Sequence, residues 1–127
     1  MSDQAAVDTV TTYLRLVEER RLEEASAYLA ADAEIVFPGG RSFADLDEQV
    51  AAAQTRYRNI SKVFDGFDVM PLADSIVVYV YGTLQGEGPT GNRFAGIRFI
   101  DRFELADGLV ISHRVWNDFA ALASADE

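Results

Sequence analysis

His113 is the only histidine in the chain, which contains no cysteine. It is therefore the one side chain whose ordinary pKa falls near neutrality, the property a general base needs. Asp101 precedes it on the last predicted hairpin, and two chemistries open from that pair. An ionised Asp101 would orient the imidazole and leave it free to take a proton. An Asp101 kept neutral by desolvation in an apolar cavity would instead donate a hydrogen bond to a developing oxyanion. The two roles exclude one another at any moment, and a purely architectural polar contact carries the same signature. One histidine without cysteine gives no closed zinc site, so no metal is expected. Gly86, Gly88 and Gly91 fall between extended segments with no helix after them, which makes them turn residues and not a phosphate cradle.

Whether Asp101 and His113 meet depends on the register of the hairpin that carries them. A two-residue Asp107-Gly108 turn pairs Ala106 with Leu109 and sets Asp101 opposite Arg114. A three-residue loop of Ala106, Asp107 and a left-handed Gly108 pairs Leu105 with Leu109. The apolar pattern favours the second, because it aligns Leu105 with Leu109, Phe103 with Ile111 and Phe99 with Val115 on one face. Asp101 then faces His113 within an otherwise apolar row, with Ile97 and Asn117 further along it. Asn117 on that face either orients a ligand carbonyl or bonds a neighbouring backbone group. The opposite face carries Arg98, Arg102, Arg114, Trp116 and Asp118, and sets Trp116 against Arg98 as a cation–aromatic pair.

The elements that must position these groups change character midway. Ser2 caps a predicted helix in which Val7, Val10, Leu14 and Val17 recur at spacings of three and four, with Arg20 and Arg21 at its end. Leu22, Ala25, Tyr28 and Leu29 continue a second helical stripe that stops at Asp32. Ile35, Val36 and Phe37 form a short strand ended by Pro38, Gly39 and Gly40. Asp45 and Glu48 resemble a capping box, followed by a third helix marked by Leu46, Val50, Ala53 and Tyr57. From Ser61 onward, segments near 61–70, 75–86, 92–105 and 109–119 are rich in Val, Ile, Phe and Tyr and are separated by turn residues. Helices followed by an antiparallel meander predict one α+β domain over residues 1–127, its helices covering a curved sheet.

A chain of 127 residues without cysteine is long enough to bury a core without disulfides. Eleven basic against twenty-one acidic side chains leave a net charge of −10, which argues against nucleic acid and anionic membrane surfaces as partners. The longest apolar run, Ile76 to Tyr81, falls far short of the roughly 20 residues needed to span a bilayer, and no signal pattern opens the chain. A cytoplasmic location is expected.

Several motifs together resemble the NTF2-like superfamily, in particular its SnoaL-like and ketosteroid-isomerase-like members. They are Tyr13-Leu14-Arg15-Leu16-Val17, Ala27-Tyr28-Leu29-Ala30-Ala31-Asp32-Ala33, Gly82-Thr83-Leu84, Thr90-Gly91-Asn92-Arg93, Asp107-Gly108-Leu109-Val110 and Trp116-Asn117-Asp118. The resemblance implies a conical barrel of three N-terminal helices on a curved antiparallel sheet. It also implies a homodimer through the outer sheet face, which the run Ile76 to Tyr81 supports because both its faces need cover. Ketosteroid isomerase pairs a tyrosine on its first helix with a late-strand aspartate as an oxyanion hole, and Tyr13 and Asp101 match those positions. By its own helical spacing, Tyr13 is either a boundary aromatic reaching water or a cavity-facing donor. The isomerase's general base falls where this chain has Phe37. The arginine and aspartate of limonene-type epoxide hydrolases fall at Tyr79-Val80-Tyr81, and their further acid at Val115. Asp118 matches a recurring family acid, but the preferred register turns it away from the pocket.

These readings converge on an apolar pocket lined by Tyr13, Phe37, Phe99, Asp101, His113, Val115 and Asn117. Tyr13, Asp101 and His113 are the expected catalytic groups, and Phe37, Phe99, Val115 and Asn117 the substrate-binding ones. The expected activity is cofactor-free acid–base chemistry, as isomerase, cyclase or dehydratase, on a hydrophobic carbonyl-bearing metabolite. The alternative is a non-catalytic ligand-binding or dimerisation module, favoured by Phe37 at the usual base position.

Overall fold

The computed structural model describes residues 1–54 and 56–119. The Ser2 hydroxyl accepts the Ala5 N–H at 3.1 Å, which satisfies one donor at the start of α1 (Asp3–Glu18). Ala6, Val10, Tyr13 and Leu14 form its buried face, so the helix is turned far enough to bring Tyr13 fully inside. After α1 the chain enters α2 (Leu22–Ser26), which is shorter than its apolar stripe predicts. Tyr28 and Leu29 are not helical. The Tyr28 carbonyl accepts the Val110 N–H and Leu29 opens a nine-residue strand, β1 (Leu29–Phe37), so pairing with the end of the chain overrides local helix preference. Gly39 and Gly40, at φ of 84° and 77°, turn β1 into a short antiparallel strand that the sequence did not foretell, β2 (Arg41–Phe43). Asp45 then accepts the Glu48 N–H at 2.9 Å to start α3 (Leu46–Ala53), while Glu48 reaches back to the Ala44 N–H.

Four long strands follow: β3 (Asn59–Pro71), β4 (Ile76–Glu87), β5 (Arg93–Ala106) and β6 (Leu109–Asn117). With the first two strands they make one six-stranded sheet in the order β2-β1-β6-β5-β4-β3. All neighbours are antiparallel except β1 and β6, which run parallel. The fold is thus α+β with the expected curved sheet and N-terminal helices, but the sheet stays open where a barrel would close. Helix α1 is fastened to β3 at one residue: Arg15 donates to the Lys62 carbonyl at 3.0 Å and the Lys62 N–H donates to Glu18 at 2.8 Å. Phe103, Leu105, Val78, Val80 and Ile35 meet Tyr13 and Val10 in the core between helix and sheet.

The last hairpin follows neither register foreseen for it. Its turn is the two-residue one, with Asp107 and Gly108 both at positive φ (53° and 79°), and Ala106 pairs with Leu109. The register then shifts by one residue between the Leu105–Val110 and Glu104–Ser112 pairs, leaving Ile111 as a bulge. Beyond it Phe103 faces His113, Asp101 faces Val115 and Phe99 faces Asn117. The bulge restores the apolar face that the row of large side chains demanded. The pairs along it are displaced by two residues, so Asp101 and His113 are diagonal neighbours and not directly opposed. Trp116 lies across from Ile100, and Arg98 pairs with Asp118.

A second bulge lets β3 press against β4. The pairing skips Asp65 between Phe64 and Gly66, and a Cβ at Gly82 would collide with the Val63 carbonyl oxygen. Because that neighbour is backbone and not a flexible side-chain tip, Gly82→Ala should destabilise the fold by about 2 kcal/mol or more, seen as a lower urea midpoint at unchanged slope. An unchanged midpoint would show that the two strands have slack there.

Candidate active site

The Ile111 bulge aims His113 inward, and the regular alternation of β5 does the same for Asp101. His113 Nε2 lies 3.1 Å from Asp101 Oδ2, with both side chains essentially shut off from solvent. The same oxygen faces Lys62 Nζ at 3.6 Å, contributed by β3. Aromatic rings hold the imidazole on several sides. Phe103 stacks on it at 4.1 Å and 11°, and Tyr13 and Phe37 meet it edge-on at 5.9 and 6.0 Å. The Lys62 ammonium lies 5.1 Å from the Phe99 ring centroid.

Charge follows from that packing. Burial pushes the Asp101 carboxyl upward, but the Lys62 ammonium and the His113 hydrogen bond together outweigh it and hold the group below the usual carboxylate range. Asp101 is therefore an acceptor at neutral pH. Its hydrogen bond places a proton on His113 Nε2, so that in the neutral ring the lone pair is on Nδ1. Burial, reinforced by the Asp101 charge, pushes the Tyr13 hydroxyl well above its ordinary value, so it remains a neutral donor. Neither Tyr13 Oη nor His113 Nδ1 has a hydrogen-bond partner among the described residues, although both are buried. An orphaned buried polar group costs about 1–3 kcal/mol, and here the two, of complementary character, belong to residues that line the same cavity.

Tyr13, Phe37, His113, Val115 and Asn117 line one cavity of about 70 Å³. Phe99 and Asp101 do not reach its surface; they stand behind Lys62, which does. Asn117 Oδ1 accepts the Phe119 N–H at 3.1 Å, which orients the amide and leaves both amide hydrogens for a ligand. Asp118 is engaged by Arg98. Several polar lining groups escaped the sequence, Lys62 and Gln49 among them. Lys62, between Ser61 and Val63, reads as a solvated strand lysine, and only the partner waiting at Asp101 explains its burial. Gln49 on α3 is 7% exposed with its carbonyl oxygen unpartnered, and nothing in its spacing separates it from a surface glutamine. Among the described residues no group of three His, Cys, Asp or Glu side chains could hold a metal ion, and no helix is long and apolar enough to cross a membrane.

No curated protein matches the chain. Among solved structures, an NTF2-like protein of unknown function from Burkholderia pseudomallei superposes with a TM-score of 0.77 at 21% identity, covering 98% of this chain and 97% of that one. TerC, crystallised with polyporic acid, gives 0.73 at 17% identity over 94% and 96%. A protein from Jannaschia sp. CCS1, assigned as a SnoaL-like polyketide cyclase, gives 0.71 at 19% over 98% and 94%. These likenesses establish the NTF2-like fold. The sequence profile of the SnoaL-like domain matches residues 10–113, from the buried face of α1 to the imidazole itself, and the chain belongs to the SnoaL-like family.

Proposed function

We propose that the chain is a cofactor-free enzyme that moves a proton beside the carbonyl group of a small hydrophobic metabolite, in isomerase, cyclase or dehydratase chemistry. The observation that carries this is the 3.1 Å Asp101–His113 contact beside an unpartnered Tyr13 hydroxyl. Asp101, ionised, holds the imidazole; Nδ1 takes a proton from the carbon next to the carbonyl, and the electron pair moves to oxygen. Tyr13 donates to the resulting enolate, and the Lys62 ammonium lowers its energy through space. Protonation at a second carbon, or attack of the enolate carbon on another carbonyl, completes the reaction and returns the proton. A positioned base of this kind is worth about 10²–10⁴ in rate, and a preorganised oxyanion donor a further 10²–10³. The small-molecule ligand crystallised with TerC supports a ligand in this fold.

A binding module without turnover is the second reading, favoured by Phe37 filling the position of the isomerase base. Exchange of α-hydrogens in D₂O, followed by NMR with benzoylacetone and phenylpyruvate as probes, separates the two. The enzyme should accelerate exchange of at least one probe, and His113→Ala should lose about 100-fold or more while unfolding cooperatively. Absence of exchange with both probes leaves the binding module.

The state of Asp101 has its own signature. Its folded pKa is depressed, so its contribution to stability is complete above the ordinary carboxylate value of about 4 and disappears as pH falls through the lower folded value. Lys62→Met removes the strongest favourable charge. The wild-type advantage over Lys62→Met in urea denaturation should therefore be widest above about pH 5 and narrow below about pH 4; a gap independent of pH would mean that Asp101 is not the ionised partner.

The outer sheet face fits a homodimer. Tyr81 pairs with Ile100 and Ile100 with Trp116, and these three side chains are 36%, 47% and 52% exposed in one row across β4, β5 and β6. Sedimentation should give twice the 14.0 kDa chain mass, and Trp116→Glu should give the monomer. A wild-type monomer at micromolar concentration would remove the dimer.

A further inference from the structure

The charge around the cavity is opposite to that of the chain. With eleven cationic and twenty-one acidic side chains the protein is strongly acidic, yet Arg20, Arg41, Arg56 and Lys62 all line this cavity. Glu18 is the one acidic lining group among the described residues, and Arg15 and the Lys62 N–H already engage it. Lys62 has Asp101 as its counter-charge. Arg20, Arg41 and Arg56 have no carboxylate partner among the described residues, nor do Arg58 and Arg93 away from the cavity, whereas Arg15, Arg21, Arg98, Arg102 and Arg114 each have at least one. Arg20 and Arg56 both act on the buried hydroxyl of Tyr57, another lining residue, opposing the burial that pushes it up.

Arg20 adds an independent mark. The Arg20 N–H bonds the Val17 carbonyl and the Arg21 N–H the Leu16 carbonyl, the double closure that ends a helix with a left-handed residue. Arg20 is that residue, at φ 61°, where glycine would sit without strain. That strained arginine stands at the cavity wall with one guanidinium nitrogen donating to the Val17 carbonyl at 3.0 Å, which leaves its other N–H groups for a ligand.

We propose that the ligand of this cavity is a carboxylate, received by the guanidinium groups of Arg20, Arg41 and Arg56 while its carbonyl end reaches Tyr13 and His113. This rests on the reading of the cavity as the site of a carbonyl ligand and names its charge class. A local cationic opening is what lets an anion enter a protein of net charge −10. Guanidinium forks match the two oxygens of a carboxylate.

Calorimetric binding of phenylpyruvate and of its neutral methyl ester to the full chain tests it. The acid should bind at least tenfold more tightly than the ester, and Arg41→Gln/Arg56→Gln should bring the ratio below threefold. Arg20→Gly should lower the ratio while raising the unfolding temperature. Arg93→Gln, remote from the cavity, should leave the ratio unchanged and so controls for net charge. An acid that does not bind, an ester that binds equally well, or an equal loss in Arg93→Gln overturns the proposal. Arginine-dependent preference for the acid without α-hydrogen exchange would retain the carboxylate site and remove the enzyme. Ester exchanged as fast as acid would do the reverse.

Discussion

A carboxylate sealed inside an apolar sheet is the constraint around which this molecule is arranged. Alone, the Asp101 charge would either be neutralised or unfold its surroundings, because desolvation of an isolated ion costs more than a domain's whole margin of stability. It persists because a cation from β3 and an imidazole proton from β6 meet one of its oxygens. That requirement reaches outward. Lys62 can deliver its ammonium only if β3 is held in place, and the two backbone bonds from Arg15 and Glu18 to that same residue do the holding. Helix α1, which supplies Tyr13, is thereby fixed to the strand that supplies the counter-charge. His113, Asp101 and Tyr13 share one mechanical frame.

Burial also assigns the roles. Tyr13 and Asp101 are both acids in principle, and the same apolar wall pushes both upward, yet only Asp101 has cations within reach. The aspartate ionises and the tyrosine keeps its proton. That divides labour differently from the isomerase pattern, in which a protonated aspartate is itself a donor. The change has a visible cause in Lys62, and in the proposed mechanism it leaves the proton to His113, because Phe37 offers no carboxylate.

The pieces that were legible in the sequence are those governed by local or periodic rules. Ser2 and Asp45 cap helices as their side chains dictate, and the change from helical to alternating spacing near Ser61 marks the sheet. The apolar row of Phe99, Phe103 and Leu105 told which face His113 must share. What escaped depends on partners far along the chain. Tyr28 and Leu29 carry a helical pattern but are taken by Val110, and Lys62 looks like any surface lysine until Asp101 is placed beside it. The pairing along the last hairpin escaped for a subtler reason: the irregularity that corrects the face lies in the strand at Ile111, while the turn residues Asp107 and Gly108 follow their own preference for a tight two-residue turn.

That displaced irregularity matters when this chain is aligned with its relatives. Every residue from Ser112 to Asn117 owes its inward or outward orientation to one extra backbone unit, so counting forward from Asp107-Gly108 assigns Arg114 and Trp116 to the interior and sends the imidazole outside. A homologue that lacks the residue at Ile111 would keep the same pairs on a regular ladder, whereas one that keeps that residue but straightens the bulge would exchange the inner and outer chemistry of the last six positions. The cross-strand partner, and not the count from the turn, is therefore the quantity to match when function is carried between members of this family.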